Sequence, residues 1–377
     1  MHQDFLLDDE ITFLNHGSFG ACPRPVFETY QQWQRELERQ PVAFLGRRYD
    51  ALMDEARSSL AEYVGAAAQD LIFVPNVTVA INTVARAIPL EPGDEVLATD
   101  HEYGAVDLTW AAVCKKAGAH YIRQPIDTPL GDTKQVIETL WQAVTPRTRV
   151  IAISHITSPT ALTFPVASIC ARAREAGILT VIDGAHAPGQ IPLDVTAVGA
   201  DFYTGNCHKW LCAPKGAGFL HARREHHTWL EPLVISWGYG QGEGFVARNQ
   251  WQGTRDIAAY LSVPAAIGYQ HARDWPTVQA RCHDLALGIR DRIQALTGLP
   301  HLGNPQTFRQ MVSLPLPVDD IEGLKARLYD DYRVEVPAIR WRDLRLIRLS
   351  VQIYNTEVDG DRLASALVDL LPHFNAG

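Results

Sequence analysis

Two neighbouring stretches decide how this chain is read: Thr180-Val-Ile-Asp-Gly-Ala-His-Ala-Pro-Gly189 and Asp201-Phe-Tyr-Thr-Gly-Asn-Cys-His-Lys-Trp210. Each begins with a β-branched or aromatic run and breaks into small, turn-forming residues, the pattern of a buried strand that ends in a loop. The pattern recurs outward in both directions, at 71–74, 95–99, 119–124 and 149–155 before these stretches and at 216–222 after them. Between the runs lie helical periodicities at about 77–88, 107–117 and 166–176, the last two stopped by Gly118 and Gly177. Strands alternating with helices of ~10–15 residues predict an α/β fold with a mainly parallel sheet covered on both faces. Ligands in such sheets sit at the carboxyl ends of the strands, so the loops after Val74, Thr99, His155, Ile182 and Tyr203 are where chemistry is expected.

From about residue 265 the pattern changes. Helices are expected at 265–273, continuing past Trp275-Pro276, and at 284–296, with short strands near 311–314 and 347–351 and a closing helix at 359–371. The division expected is an N-terminal segment 1–20, a large α/β domain 21–264 and a smaller α+β domain 265–377. A chain of 377 residues, 46% hydrophobic and 20% charged, fits about two domains at ~150 residues each and excludes a disordered or collagen-like protein. The net charge of −9 and the lack of any long Lys/Arg run argue against a nucleic-acid partner. No uninterrupted apolar window of ~18 residues suggests a membrane helix, and no signal segment is visible, so a cytoplasmic location is expected. The six cysteines, scattered through the chain, read as free thiols.

Lysine is scarce: only six of the 34 basic residues are lysines. One of them, Lys209, follows His208 and lies 26 residues beyond Asp183, which sits at the end of a strand. This pair suits pyridoxal phosphate, which needs a lysine for its aldehyde and a carboxylate to keep its pyridine nitrogen protonated. The competing readings are a strand-end turn aspartate and a surface lysine; the apolar run Trp210-Leu-Cys-Ala-Pro214 opposes the second. Asn76-Val77-Thr78 opens a helix directly after a strand, where free N–H groups and the helix dipole favour a phosphate. There Thr78 adds a hydroxyl and Val77 only its amide. Cys207 and Cys212 flank His208 and Lys209 but are too few for zinc, and His101-Glu102 lacks a second histidine at helical spacing. The Gly238-Tyr-Gly-Gln-Gly-Glu-Gly244 run imitates a dinucleotide loop; with no strand before it and no helix after it, it reads as a flexible loop beside the site.

The run Phe13-Leu-Asn-His-Gly-Ser-Phe-Gly-Ala-Cys-Pro-Arg-Pro25, with Asp183-Gly-Ala-His186, Thr204-Gly-Asn-Cys-His-Lys-Trp210, Trp251-Gln-Gly-Thr-Arg-Asp256, Ile347-Arg-Leu-Ser350 and Tyr354-Asn-Thr-Glu357, resembles the isopenicillin N epimerase-like branch of the class V aminotransferases. These are fold-type I pyridoxal-phosphate enzymes related to cysteine desulfurases. The resemblance implies a large domain with a mainly parallel, seven-stranded sheet and a small C-terminal α+β domain. It assigns Lys209 to the covalent bond with the cofactor, Asp183 to the pyridine nitrogen and His186 to the side of the phenolic oxygen. Tyr103 falls where desulfurases stack a histidine over the ring, a half-buried loop tyrosine being the other reading. Asn76, Val77, Thr78, Asn206 and His208 correspond to the phosphate site. Gly253-Thr254 resembles the segment that reaches the phosphate from the second subunit, which implies a homodimer with shared sites. Arg348 matches the arginine that forks onto the α-carboxylate, a task that favours Arg over Lys. Asn15 and His16 resemble the segment lining the substrate side, with a buried structural His16 as the alternative. Arg342 and Arg345 lie outside the motif and read as surface charges, and Thr157-Ser158-Pro159 stands where relatives place an asparagine near the cofactor.

A lysine freed by an incoming amino acid is a general base for the α-proton. Return of the proton to the same carbon gives epimerisation, its delivery to the cofactor gives transamination, and loss of a β-substituent gives C–S or C–X cleavage. No cysteine occurs in 283–377, where desulfurases carry their nucleophile, so a persulfide mechanism is not expected. The leading expectation, from the resemblance, is an amino-acid epimerase or racemase. The alternatives are a C–S lyase acting on a cysteine conjugate or sulfoxide, an aminotransferase, and a silent pyridoxal-binding regulator, the last opposed by the intact Lys209, Asp183 and Arg348 set.

Overall fold

The computed structural model describes residues 2–240 and 244–374. A short first strand, Thr12–Phe13 (β1), precedes the main sheet. That sheet contains Leu71–Val74 (β2), Glu95–Thr99 (β3), His120–Gln124 (β4), Thr148–Ser154 (β5), Leu179–Gly184 (β6), Phe202–Asn206 (β7) and Gly218–Ala222 (β8). Its order is β2-β8-β7-β6-β5-β3-β4. Only β8 runs antiparallel to its neighbours, β2 and β7; the other pairings are parallel. The seven-stranded, mainly parallel sheet expected from the sequence is therefore present.

The strands are apolar on both faces because both faces are covered. Along β2, Ile72 and Val74 point into a cluster with Ala80, Ile81 and Val84 of the helix Val77–Ala87 and Trp110 of the helix Gly104–Ala117. Leu71 and Phe73 point the opposite way, into the cluster that holds Met53 and Leu60 of the helix Tyr49–Tyr63. In β5, Val150 and Ala152 alternate with Ile151 and Ile153 in the same manner. This period of two fixes the register, since a one-residue slip would exchange the two cores.

The small domain has an antiparallel sheet of Met311–Pro315 (β9), Ala338–Trp341 (β11) and Leu344–Ser350 (β12), in the order β11-β12-β9, with Val334–Glu335 (β10) between β9 and β11 in the chain. β10 pairs in parallel with β1, and Asn15 bridges to Ser350. The N-terminal segment thus joins the small domain before reaching the large one. Two expectations need correction. The boundary at 264/265 falls inside the helix Val263–His271, which packs on the helices Arg24–Arg39 and Tyr49–Tyr63 of the large domain. The helix after it is one 23-residue element, Trp275–Thr297, separated by Asp274 at φ +43° and started with Pro276 in its first turn. The Gly238–Gly244 loop is also corrected in part. Residues 241–243 lie outside the described residues, but a helix, Gly244–Gln250, does follow the loop.

Candidate active site

A cavity of about 320 Å³ opens at the carboxyl ends of the central strands, where β2, β5, β6 and β7 pass into their loops. Asp183, near the end of β6, is buried in its wall. Asp183 Oδ1 accepts a hydrogen bond from the Ala185 amide at 2.8 Å, and among the described residues Oδ2 accepts none. Burial pushes this carboxyl up from its usual range, opposed by the Ala185 amide and by Lys209. Beyond β7 the chain turns through Cys207-His208 to Lys209, whose Nζ lies 3.4 Å from His186 Nε2. Burial, and then the charge of Arg348, lowers the Lys209 amine to about 7 against the pull of Asp183. Trp210 Nε1–H donates to His186 Nδ1 at 3.2 Å, so the neutral His186 carries its proton on Nε2, facing Lys209. Burial holds His186 well below the usual histidine range.

At the other end, Asn76 caps the helix Val77–Ala87 by accepting from the Val79 amide at 3.0 Å. The Val77 amide, expected to face a phosphate, instead donates to Asn206 Oδ1 at 3.1 Å. The reason is geometric: Asn206, at the end of β7, braces the start of the helix and so spends its oxygen there. Its amide nitrogen and the exposed Thr78 remain at the cavity. His208 Nδ1–H donates to the Ala217 carbonyl at 2.8 Å, and burial lowers this imidazole to about 4. Lys215, which no sequence pattern singled out, lines the same wall.

Ser18 and Phe19 of the N-terminal segment close the opposite side. Gly20 has φ +71°, and a Cβ there would lie 2.0 Å from the His208 carbonyl oxygen, so only glycine lets this segment lie against the Lys209 turn. His16 and Asn15 do not line the cavity, which corrects the substrate-side expectation. His16 is buried, with Nδ1 3.0 Å from the Tyr354 hydroxyl and Nε2 3.0 Å from the Lys209 carbonyl. Asn15 Nδ2 donates to Glu335 at 2.8 Å while its oxygen accepts from Ser18 Oγ at 2.5 Å. Arg348, buried on β12, donates to the Ser158 carbonyl (2.7 Å) and hydroxyl (3.0 Å) and to Ser18 Oγ (3.3 Å); its Nε is buried without a partner. Burial lowers its guanidinium only to about 10, which leaves it charged. Tyr103, 50% exposed, lines the cavity from the start of the helix Gly104–Ala117. Gly253 and Thr254 lie away from the cavity of their own chain, with Thr254 exposed.

The sequence reading did not select Ser154 or Glu102. Ser154 is the register partner of Asp183 on the adjacent strand, and its hydroxyl donates to Glu102 at 2.6 Å. Glu102 also accepts from Thr99 at 2.6 Å, and burial pushes its carboxyl up to about 8. Neither residue sits in a recognisable motif, so only the spatial adjacency of β3, β5 and β6 exposes them.

Residues 21–363 match the family model of class V aminotransferases, and the chain belongs to that family. Within it, the chain is 38% identical to an isopenicillin N epimerase of Amycolatopsis lactamdurans, over 97% of this chain and 96% of the relative. It is 27% identical to an L-cysteine desulfhydrase of Arabidopsis thaliana, over 95% of this chain and 87% of the relative. In fold it is similar to a solved cystine C–S lyase, crystallised with its product cysteine persulfide. That match has a TM-score of 0.84 and 22% identity, and covers 98% of this chain and 99% of the other. The protein is thus a fold-type I enzyme of a pyridoxal-phosphate-dependent family, with an isopenicillin N epimerase-like sequence.

Proposed function

We propose that the protein binds pyridoxal phosphate in this cavity and moves the α-proton of an amino acid to give epimerisation. The observation that carries the reading is the Asp183 carboxylate, buried with one oxygen that accepts no hydrogen bond among the described residues, and sharing its cavity with the part-buried Lys209. Such a carboxylate fits a protonated ring nitrogen, and the charged Arg348 guanidinium, held by Ser158 and Ser18 of the cavity wall, fits a carboxylate. When bound, the cofactor supplies an aldehyde that captures the substrate amine and a ring that takes up the electron pair left at the α-carbon.

The chain's own residues do the rest. Lys209, with its amine near 7, is neutral often enough to accept the α-proton. Inversion then requires a proton delivered to the opposite face of the α-carbon, since return from Lys209 to the face it left restores the starting isomer. His186 presents its Nε2–H to the cavity, where Asp183 would pair with the cofactor's ring nitrogen and Tyr103 would pack against its ring. Asn76, Thr78, Asn206 and His208 hold the phosphate, and Thr254 of a second copy completes that site in a homodimer. Arg348, fixed by Ser158 and Ser18, orients the α-carboxylate. We place the enzyme in the cytoplasm, without a nucleic-acid partner. Among the described residues no helix is long and apolar enough to cross a membrane.

A C–S lyase is the second reading. It is supported by the similarity to the desulfhydrase and needs the same α-proton step before loss of sulfur. The test is a product screen of L-amino acids and cysteine conjugates in deuterated water. A D-isomer with deuterium at the α-carbon supports epimerisation, pyruvate with ammonia moves the assignment to lysis, and a keto acid moves it to transamination. No exchange on any substrate overturns the α-carbon reading itself.

A further inference from the structure

One buried acid beside the site has no part in the chemistry above. Glu102 is 5% exposed, and its two oxygens meet hydroxyls, Thr99 Oγ1 at 2.6 Å and Ser154 Oγ at 2.6 Å. Among the described residues no cation is bonded to it. The charges around it are already paired: Arg123 lies 3.4 Å from Asp107, and Arg342 lies 2.6 Å from Asp100. Tyr121, on β4, donates to Asp107 at 2.6 Å. Tyr103, next in the chain, and Arg340 are the other titratable groups in the wall of the second cavity that Glu102 lines. A carboxylate buried among hydroxyls and two other carboxylates is driven to take up a proton. Burial pushes the Glu102 carboxyl up to about 8, with Asp183 and Asp107 adding to it against the two hydroxyls.

That proton decides what Ser154 shows the site. Ser154 is the register partner of Asp183 on the adjacent strand and lines the first cavity. A carboxylate accepts a proton from each hydroxyl, but a carboxylic acid has to donate one of its own. Thr99 Oγ1 already accepts from the His101 amide at 3.2 Å, whereas Ser154 Oγ accepts from no group among the described residues. Ser154 is therefore the free acceptor, and its own O–H is released toward the cavity. When Glu102 loses its proton, the Ser154 O–H turns back to it. The wall beside Asp183 then offers lone pairs and a second negative charge. The second cavity, of about 670 Å³, gives the Glu102 proton a way to water.

We propose that Glu102 is a positioning residue that serves the site in its neutral form, turning the Ser154 hydroxyl proton into the cavity beside Asp183, where electron density gathers as the α-proton leaves. The proposal rests on the pyridoxal-phosphate reading of that cavity and adds a residue to it. A hydroxyl donor there steadies the density, and a second buried carboxylate repels it, so ionisation of Glu102 slows α-proton removal.

Two measurements test it. In the cofactor-free protein, the infrared band of a protonated carboxyl should fade between about pH 7 and about pH 9.5. Glu102→Gln, which copies the shape and the hydrogen bonds of the neutral acid, should lack that change. No such change in the unaltered protein overturns the proposal. In the cofactor-loaded enzyme, α-proton exchange should rise with pH through the Lys209 transition, then fall about tenfold as Glu102 ionises, the size of one hydrogen bond. Glu102→Gln should keep the rise and lose the fall. Ser154→Ala should also lose the fall, and adding Glu102→Gln to it should change nothing further. A fall that survives either substitution overturns the proposal. Should Glu102→Gln not fold, the infrared change and Ser154→Ala carry the test. If the protein captures no pyridoxal phosphate, or exchanges no α-proton, that reading fails and the role of Glu102 falls with it. If it does both and the alkaline fall is missing, only the role of Glu102 is wrong.

Discussion

His16 Nε2 lies 3.0 Å from the carbonyl oxygen of Lys209, 193 residues away in sequence, while its other ring nitrogen meets the Tyr354 hydroxyl at 3.0 Å. The imidazole is buried between the N-terminal segment, the lysine turn and the small domain. It is a strut that holds the reactive lysine's backbone. His16→Ala removes two buried hydrogen bonds and leaves a void beside Trp210, so a loss of about 2–4 kcal/mol is expected. Thermal or denaturant unfolding of the cofactor-free protein measures it; a change within about 0.5 kcal/mol would remove the strut.

Acid should destabilise the fold through its buried histidines. Burial lowers His16 to about 3 and His101, His155, His208 and His221 to about 4. Each is neutral when folded and takes a proton when unfolded below its ordinary value of about 6.5. The unfolded chain therefore binds more protons between pH 6.5 and 4, and stability falls as pH falls through that window. Each such group contributes up to about 1.4 kcal/mol per pH unit. Urea melts from pH 7 to 4.5 should show the decline, and His16→Gln should have the shallower slope.

Lys209 contributes with the same sign in a higher pH window. Its folded value near 7 lies below the ordinary lysine value of 10.5, so its burial costs stability that is regained as pH rises from 7 to 10.5. The same depression makes the amine reactive near neutrality. Cofactor capture by the cofactor-free protein should speed up with pH and level off with a midpoint near 7, and borohydride trapping should place the label on Lys209. A midpoint near 10, or a label on Lys215, contradicts the assignment.

Asp183→Asn keeps the shape of the side chain and removes its charge. Cofactor binding should persist, while α-proton exchange should slow by about 10²–10⁴-fold, the usual cost of a lost electrostatic or acid–base partner. The measurement is deuterium exchange at the α-carbon, with retained visible absorbance as the control. Near-normal exchange would show that another group serves the ring nitrogen.

Thr254 is exposed and remote from its own cavity, so its proposed work is done in a second copy of the chain. Thr254→Ala should retain cofactor poorly without unfolding. Co-expressed with a Lys209→Ala chain, it should recover activity that neither variant shows alone, because one of the two sites in the mixed dimer keeps both groups. Mixed dimers that form and stay inactive, from an impaired Thr254→Ala parent, would confine Thr254 to its own chain or remove it from the site.

The sequence by itself determined the layered fold and singled out the two residues, Asp183 and Lys209, on which the proposed chemistry rests. Fully buried strands such as Leu71–Val74 and Thr148–Ser154 announce themselves as short β-branched runs, because both their faces must be apolar. Asp183 and Lys209 were legible because strand-end position and lysine scarcity are local properties. Arg24–Arg39 buries only Val26 fully and was not picked out, although its sequence is strongly amphipathic. Tertiary structure alone decided the rest, because each deciding feature is a distance between residues far apart in the chain. It chose the buried structural alternative for His16, gave the Val77 amide to Asn206, and set Glu102 against Ser154 beside Asp183. Hydrogen-bond partners at 2.6–3.1 Å depend on which strands are neighbours, and a one-dimensional pattern does not carry that order.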